Sequence, residues 1–364
     1  MKVLILRADS SSPNLGVRVL AHGTEALARQ AWGEQIEVDF QNFDGGTSGQ
    51  RFDKKAVTSD IFRKHGPIKT VLRRYDVIID ACGGDSFTDI YGIRRLALIL
   101  YTQRTGQRLG IPVVLGPQTI GPFQNKFAKF AASRVLKAMS AVVSRDGASA
   151  RYAEDMGRTS DAAATDVVFA LPVPESSEKR DIILNVSGLL WNSNKHVSSE
   201  EYRSSIRSLI KELLAAGRRV SLLAHVLDNP REDNDVPVAL LLEQEFQDHV
   251  ECIIPTSLEA ARIILAGANV VIGSRMHACL NALSTGTPVI PWAYSRKFAP
   301  LMNDIGWQIG IDLRETPAPV TATMKYLKEH SQADLDSLAV TVGERARARL
   351  SGASDLLRER IILP

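Results

Sequence analysis

Short apolar runs alternate with segments of helical period along nearly the whole chain. Val3–Leu6, Ile36–Phe40, Val77–Ala81, Pro112–Leu115 and Ala141–Ser144 are rich in Val and Ile and too short for helices, which predicts buried strands. Apolar residues recur at helical spacing over Leu15–Trp32, Arg94–Leu109 and Lys126–Ala138. A further helix follows Ser144-Arg145-Asp146-Gly147, runs to Met156 and stops at Gly157. The proline-bearing polar stretch Leu171–Arg180 then interrupts the pattern as a linker. Beyond it strands are predicted at Ile182–Val186, Val220–Ala224, Val250–Ile254, Val270–Gly273 and Pro288–Trp292. Helices are predicted at Ser199–Ala216, Val236–Gln247, Ser257–Ala266 and Met276–Thr285.

Strand–helix alternation of this kind implies an α/β class with parallel sheets covered by helices. Two such halves predict two Rossmann-like domains facing a cleft, over residues 1–175 and 176–335, with a helical tail over 336–364. The tail carries Arg345, Arg347 and Arg349, whose two-residue spacing gives no single basic stripe on a helix. Its apolar side is expected to pack back on the N-terminal half. Ligands of open α/β sheets sit at the carboxyl ends of strands, so the informative residues should follow strands.

Length and composition agree with this division. The chain has 364 residues, 45% hydrophobic and 23% charged, which is the profile of a globular protein too long for one ordinary core. Lys plus Arg is 44 and Asp plus Glu is 41, a near balance that argues against a nucleic-acid partner. The first apolar run is four residues long and closed by Arg7, and no stretch reaches the ~18–20 apolar residues of a membrane helix. A cytoplasmic location is therefore expected. Cys82, Cys252 and Cys279 form no Cys-x-x-Cys pair and read as small buried hydrophobes.

Candidate chemistry gathers at the predicted strand ends. In Val270-Val-Ile-Gly-Ser274-Arg275-Met276-His277 a buried strand runs into a helix that ends at Gly286. Unpaired backbone amides and the helix dipole favour an anion at Met276. Arg275 could add a bidentate contact and His277 a titratable proton. The alternative is a salt-bridged Arg275 and a His277 that caps the helix. Arg145 follows another strand and could meet a ligand or an internal partner, while Asp146 reads as a helix N-cap. Gly83 and Gly84, Asn14 before Gly16, and Gln118 lie in strand-end loops where a ligand can approach the backbone. His225 ends a strand and reads either as a substrate contact or as a satisfied core histidine. With Asp228, Asp233 and Asp235 behind it a metal site is imaginable, but the spacing fits no strong ligand pattern and no metal is expected. Lys297 and Arg296 either add positive charge to the anion site or lie on a solvated face.

Taken in order, these stretches resemble the polysaccharide pyruvyl transferase family. The resemblance rests on Asn14-x-Gly16, Gly83-Gly84, Leu115-Gly-Pro-Gln-Thr-Ile-Gly-Pro122 and Ser144-Arg-Asp-x-x-Ser149. It continues through Asp166-Val-Val-Phe169, His225, Ser274-Arg275-x-His277 and Tyr294-x-x-Lys297-Phe298. Two positions depart from the family pattern: Val17 stands where an acidic residue is common, and Cys82 where a third glycine precedes Gly83. The resemblance implies a glycosyltransferase-B type fold. It also implies transfer of a pyruvyl group from phosphoenolpyruvate to sugar hydroxyls, forming a ketal. His277, Arg275 and Arg145 would be catalytic. Asn14, Gly83, Gly84, Gln118, His225, Ser274, Met276 and Lys297 would bind substrate. No cofactor is implied beyond phosphoenolpyruvate as donor. The acceptor would be a cell-surface glycan or a lipid-linked sugar, which could bring a peripheral membrane association, and a homo-oligomer remains open. Two other readings are a glycosyltransferase with a nucleotide-sugar donor, for which no ribose-clamping acid follows the anion-binding helix, and a non-catalytic sugar-binding relative.

Overall fold

The computed structural model describes residues 1–176 and 178–361. It divides into two compact units. The first comprises Met1–Ser11, Val17–Leu171 and the chain from Ala346 on; the second comprises Ser12–Gly16 and Pro172–Arg345.

The first unit is built on a six-stranded parallel sheet of β1 (Lys2–Leu6), β2 (Glu37–Gln41), β3 (Val77–Asp80), β4 (Val113–Gln118), β5 (Ala141–Ser144) and β6 (Ala162–Ala163), in the order β2-β1-β3-β4-β5-β6. Its helices are α1 (Leu15–Trp32), α2 (Lys54–Ile61), α3 (Pro67–Leu72), α4 (Ile93–Arg108), α5 (Lys126–Lys137) and α6 (Gly147–Asp155). Strands β1, β3, β4 and β5 are buried almost throughout, as a sheet covered on both faces requires. One core joins Leu4, Ile78, Leu115 and Val142 of the sheet to Ile68 of α3, Ile99 of α4 and Leu136 of α5.

The second unit repeats the plan with β7 (Arg180–Asn185), β8 (Val220–Leu223), β9 (Val250–Ile253), β10 (Ala268–Gly273), β11 (Val289–Ala293) and β12 (Ile311–Asp312). The order is β12-β11-β10-β7-β8-β9, all parallel. Between them run α7 (Gly188–Trp191), α8 (Ser199–Ala215), α9 (Val236–Phe246), α10 (Leu258–Ala266), α11 (Met276–Ser284), α12 (Phe298–Ile305) and α13 (Pro319–Glu329). A last helix, α14 (Gln332–Arg360), gives its first half to the second unit and its second half to the first. The long strands and helices fall where periodicity predicts them. Periodicity gives no signal for α2, α3, α7, α12, α13, β6 and β12, most of which are short.

The chain does not divide simply at its middle. Residues Ser12–Gly16 belong to the second unit, where Leu15 N–H donates to the His225 carbonyl (3.1 Å) and Leu227 N–H to the Pro13 carbonyl (2.8 Å). The C-terminal part of α14 is anchored within the first unit, where Arg358 donates to the carbonyls of Gln30 and Ala31.

Candidate functional site

In the second unit β11, β10, β7 and β8 are consecutive neighbours. Their carboxyl ends bring Tyr294, Ser274 and Arg275, Asn185, and His225 to one edge of the sheet. The fully buried Asp235 ties these ends together. Its carboxylate accepts from Gly188 N–H (2.8 Å), His225 N–H (3.2 Å) and Val226 N–H (3.0 Å). It also takes Arg275 Nε (3.1 Å) and Nη2 (2.6 Å) as an ion pair. Arg275 donates further to the Asp233 carbonyl, and its backbone N–H donates to Asn185 Oδ1 (3.0 Å). Burial works against the charge on Arg275, yet the Asp235 carboxylate outweighs it and holds the guanidinium above its ordinary pKa. Arg275 is thus largely committed to internal partners. Its clearest role in the structure is to fix the turn from β10 into α11.

That turn ends in the site itself. Met276 and His277 open α11 and are half-buried, whereas Ser274 is buried and shares a hydrogen bond with Tyr202 (2.8 Å). The half-buried pair therefore stands at a helix N-terminus, where the helix dipole favours an anion. Gly16 packs against it so closely that a Cβ there would lie 2.7 Å from His277 Nδ1. This contact accounts for a glycine in Asn14-x-Gly16. Asn14 itself accepts from Gly16 N–H (2.9 Å) and shapes the start of α1.

His225 is buried behind this point. Asn281 Nδ2 contacts His225 Nε2 at 3.0 Å and donates to the His277 carbonyl at 2.8 Å. Asn281 Oδ1 accepts from Arg262 (3.0 Å), a buried guanidinium that also donates to Ser284 and the Pro172 carbonyl. Arginine only donates, so it fixes which end of the Asn281 amide faces His225. The imidazole must then accept at Nε2 and carry its proton on Nδ1. Burial, with smaller contributions from His277 and Arg275, pushes His225 down to about 3. His225 is a neutral core residue coupled to the site through Asn281.

Tyr294 lies at the end of β11, in edge contact with His196 (5.1 Å between ring centres) and Phe298 (5.8 Å). Burial raises its phenol above the usual range, opposed by Arg275, with which it shares a hydrogen bond. Lys297 follows at the start of α12, where burial lowers its ammonium to about 8. A lysine that titrates near neutrality suits an anion-binding or proton-moving role.

The remaining predicted site residues lie in the first unit. Arg145 is 1% exposed and ion-paired to Asp166 (3.2 Å), with a further hydrogen bond to Thr119. It joins the ends of β4 and β5 to the turn at Val167–Ala170, which answers in favour of an internal partner. Asp146 caps α6 by accepting from Ser149 N–H (2.7 Å). Gln118 is fully buried at the end of β4 beside the Cys82 thiol. Gly83 (φ 59°) and Gly84 (φ 83°) form a left-handed turn after β3, with Gly84 buried beside Arg145 and Gly83 half-exposed. Cys82 enters the same turn at φ 43°, a conformation that a glycine adopts without strain. Among the described residues no group of three His, Cys, Asp or Glu is placed to hold a metal ion.

In the sequence Asp235 stands out only as an imagined metal ligand. Its reach across the fold, to residues about 40 to 50 positions away, leaves no local pattern. Arg262 and Asn281 carried no signal either, since both sit on helices among apolar neighbours.

Comparison with known proteins bears on the whole constellation. The model of the polysaccharide pyruvyl transferase family matches residues 14–296. The amylovoran biosynthesis protein AmsJ of Erwinia amylovora is 25% identical over 261 residues, covering 65% of this chain. The chain spans 60% of the length of that curated relative. Among solved structures, UDP-GlcNAc 2-epimerase from Methanocaldococcus jannaschii aligns with a TM-score of 0.56 at 12% identity, over 90% of this chain and 92% of that one. Anabaena HepE, solved with UDP-glucose, gives a TM-score of 0.52 at 10% identity, over 99% and 98% of the two chains. At such identities the likeness is one of fold, the glycosyltransferase-B type.

Proposed function

The chain belongs to the polysaccharide pyruvyl transferase family, and from that premise we propose that it transfers a pyruvyl group from phosphoenolpyruvate to hydroxyls of a glycan or lipid-linked sugar in polysaccharide biosynthesis. The observation that carries this reading is the half-buried His277 at the N-terminus of α11, beside a turn locked by Arg275 and Asp235. Phosphoenolpyruvate carries two anionic groups, a phosphate and a carboxylate. The first-turn amides of α11 and the Lys297 ammonium receive its phosphate and carboxylate. Arg275 acts as a positioning residue that holds those amides, and Arg145 keeps the strand ends of the first unit in place.

The reaction needs a proton at the donor's methylene carbon. His277 supplies it, a contribution of typically ~10²–10⁴-fold. The adjacent carbon becomes electrophilic and one sugar hydroxyl adds to it, losing its proton. The carbon–oxygen bond to phosphate then breaks, and Lys297 and the helix amides stabilise the departing charge. A second hydroxyl adds to the same carbon and loses its proton, which closes the ketal. The products are the ketal and inorganic phosphate. The enzyme works at a cytoplasmic pool of donor.

The test is ligand-induced stabilisation followed by turnover. Phosphoenolpyruvate should raise the melting temperature, as any ligand selective for the native state must. With a competent acceptor it should release phosphate, and His277→Ala should lower kcat with little change in donor affinity. Stabilisation by UDP-sugars with no response to phosphoenolpyruvate would overturn the proposal.

A further inference from the structure

From Ile90 to Arg145 the chain contains no Asp or Glu, against nine Arg and Lys. With a net charge of only +3 overall, the rest of the protein is net acidic. The basic stretch includes the whole of α4 and α5, which pack side by side in the first unit. Helix α5 buries Ala128, Ala132, Val135 and Leu136 against the sheet. Its outer face shows Lys126, Phe127, Phe130, Arg134 and Lys137.

Two of those residues are out of place on an ordinary solvated face. Phe127 is 85% exposed and Phe130 63% exposed. Beside them the turn into α4 exposes Ile90, Tyr91 and Ile93. Asp89 fixes that turn against the start of α5, for its carboxylate accepts from Gln124 N–H (2.9 Å) and Asn125 N–H (2.7 Å). The apolar tip and the helix are therefore one surface. Among the described residues, Arg94, Lys126, Arg134 and Lys137 make no salt bridge to a carboxylate within the chain. Aromatic and branched side chains projecting among basic ones, with the Asp89 carboxylate that joins the two segments buried beneath them, match the chemistry of an anionic bilayer interface.

We propose that this α4–α5 face docks the protein on an anionic lipid surface, with Phe127, Phe130 and Ile93 entering the headgroup region and Lys126, Arg134 and Lys137 meeting lipid phosphates. The charge argues against a second copy of the chain, which would bring the same basic surface against itself. The aromatic residues argue against a soluble polyanion, which offers nothing apolar to receive them. The inference stands whether or not phosphoenolpyruvate is the donor, because it concerns residues of the first unit that the proposed donor site does not use and is read by binding alone.

Sedimentation of the full chain with vesicles tests it. Vesicles containing phosphatidylglycerol should carry the protein down, pure phosphatidylcholine vesicles should carry far less, and added salt should weaken binding. Each surface Lys or Arg contributes about fivefold to partitioning. The pair Lys126→Gln and Arg134→Gln should therefore lower it by about 30-fold. Phe127→Ser with Phe130→Ser should lower it by about tenfold or more, including at raised salt. All four side chains are exposed, so melting temperature and circular dichroism should match the parent, and His277→Ala should bind vesicles as the parent does. Absence of binding to anionic vesicles would overturn the proposal, as would parental binding by both double variants. Retention on heparin without vesicle binding would overturn it too, assigning the face to a soluble polyanion.

Discussion

Gly16→Ala is a small change that the structure predicts to be costly for catalysis. The added Cβ would lie 2.7 Å from His277 Nδ1 and 3.0 Å from its Cβ and Cγ. Carbon contacts are most favourable at about 3.5–4.0 Å, so the imidazole must retreat by roughly 0.8 Å or the two segments must part. The His277 backbone is held, since its carbonyl accepts from Asn281, which leaves the ring to move. Overpacking typically costs about 1–3 kcal/mol, while replacing glycine at a compatible site stabilises by ~0.4–1 kcal/mol. Net destabilisation should therefore be no more than about 2.6 kcal/mol, and the protein should fold. Catalysis is more sensitive, because a misplacement of about 1 Å can cost ~10²-fold. Steady-state phosphate release from phosphoenolpyruvate should show kcat lowered by about 10²-fold, with donor KM little changed and the melting temperature slightly lower. The change acts through one residue, so Gly16→Ala with His277→Ala should be no slower than His277→Ala alone. Parental kcat in Gly16→Ala, or additive losses in the double variant, would refute the argument.

Three further outcomes follow from the same site. Removing one partner of the buried Arg275–Asp235 pair, as in Asp235→Ala, should destabilise by about 3–5 kcal/mol in urea unfolding, and Arg275→Met with Asp235→Leu should recover part of that loss. His225 is held neutral, so its contribution is full above the unfolded pKa of ~6.5 and is lost as pH falls below it. At pH 5 the loss should be about 2 kcal/mol, and in His225→Gln this part of the acid dependence should vanish from stability measured against pH. Lys297 is charged below about 8 and loses its charge above. Donor KM should therefore rise as pH passes 8, and Lys297→Arg should move that limb to higher pH.

The fold was legible where hydrophobic period and length agree. Val77–Ala81 and Val270–Gly273 read as buried strands, and Leu15–Trp32 as a helix. Short helices such as Pro67–Leu72 complete fewer than two turns, too little for a period to show. At the site, strand-end logic pointed correctly to the neighbourhood of Arg275 and His277, because the sheet plan follows from alternation. It did not tell that Arg275 would be held by Asp235, or Arg145 by Asp166. Those pairings are made by tertiary reach across the sheet, and nothing local in the sequence encodes them. His225 is a further case: its burial, and the fixed amide of Asn281, decide its charge, and neither can be read from its place after a strand.

The interleaving of the two units limits how the family could be recombined in the laboratory. A chimera that exchanged residues 172–345 alone would carry a new His277 but keep the old Ser12–Gly16, the segment that packs against it. It would also cut α14 in the middle of a continuous helix. A workable exchange has to treat Ser12–Gly16 as part of the second unit and place its last joint outside the helix. Any recombination that exchanges residues 172–345 as one block meets the same obstacle.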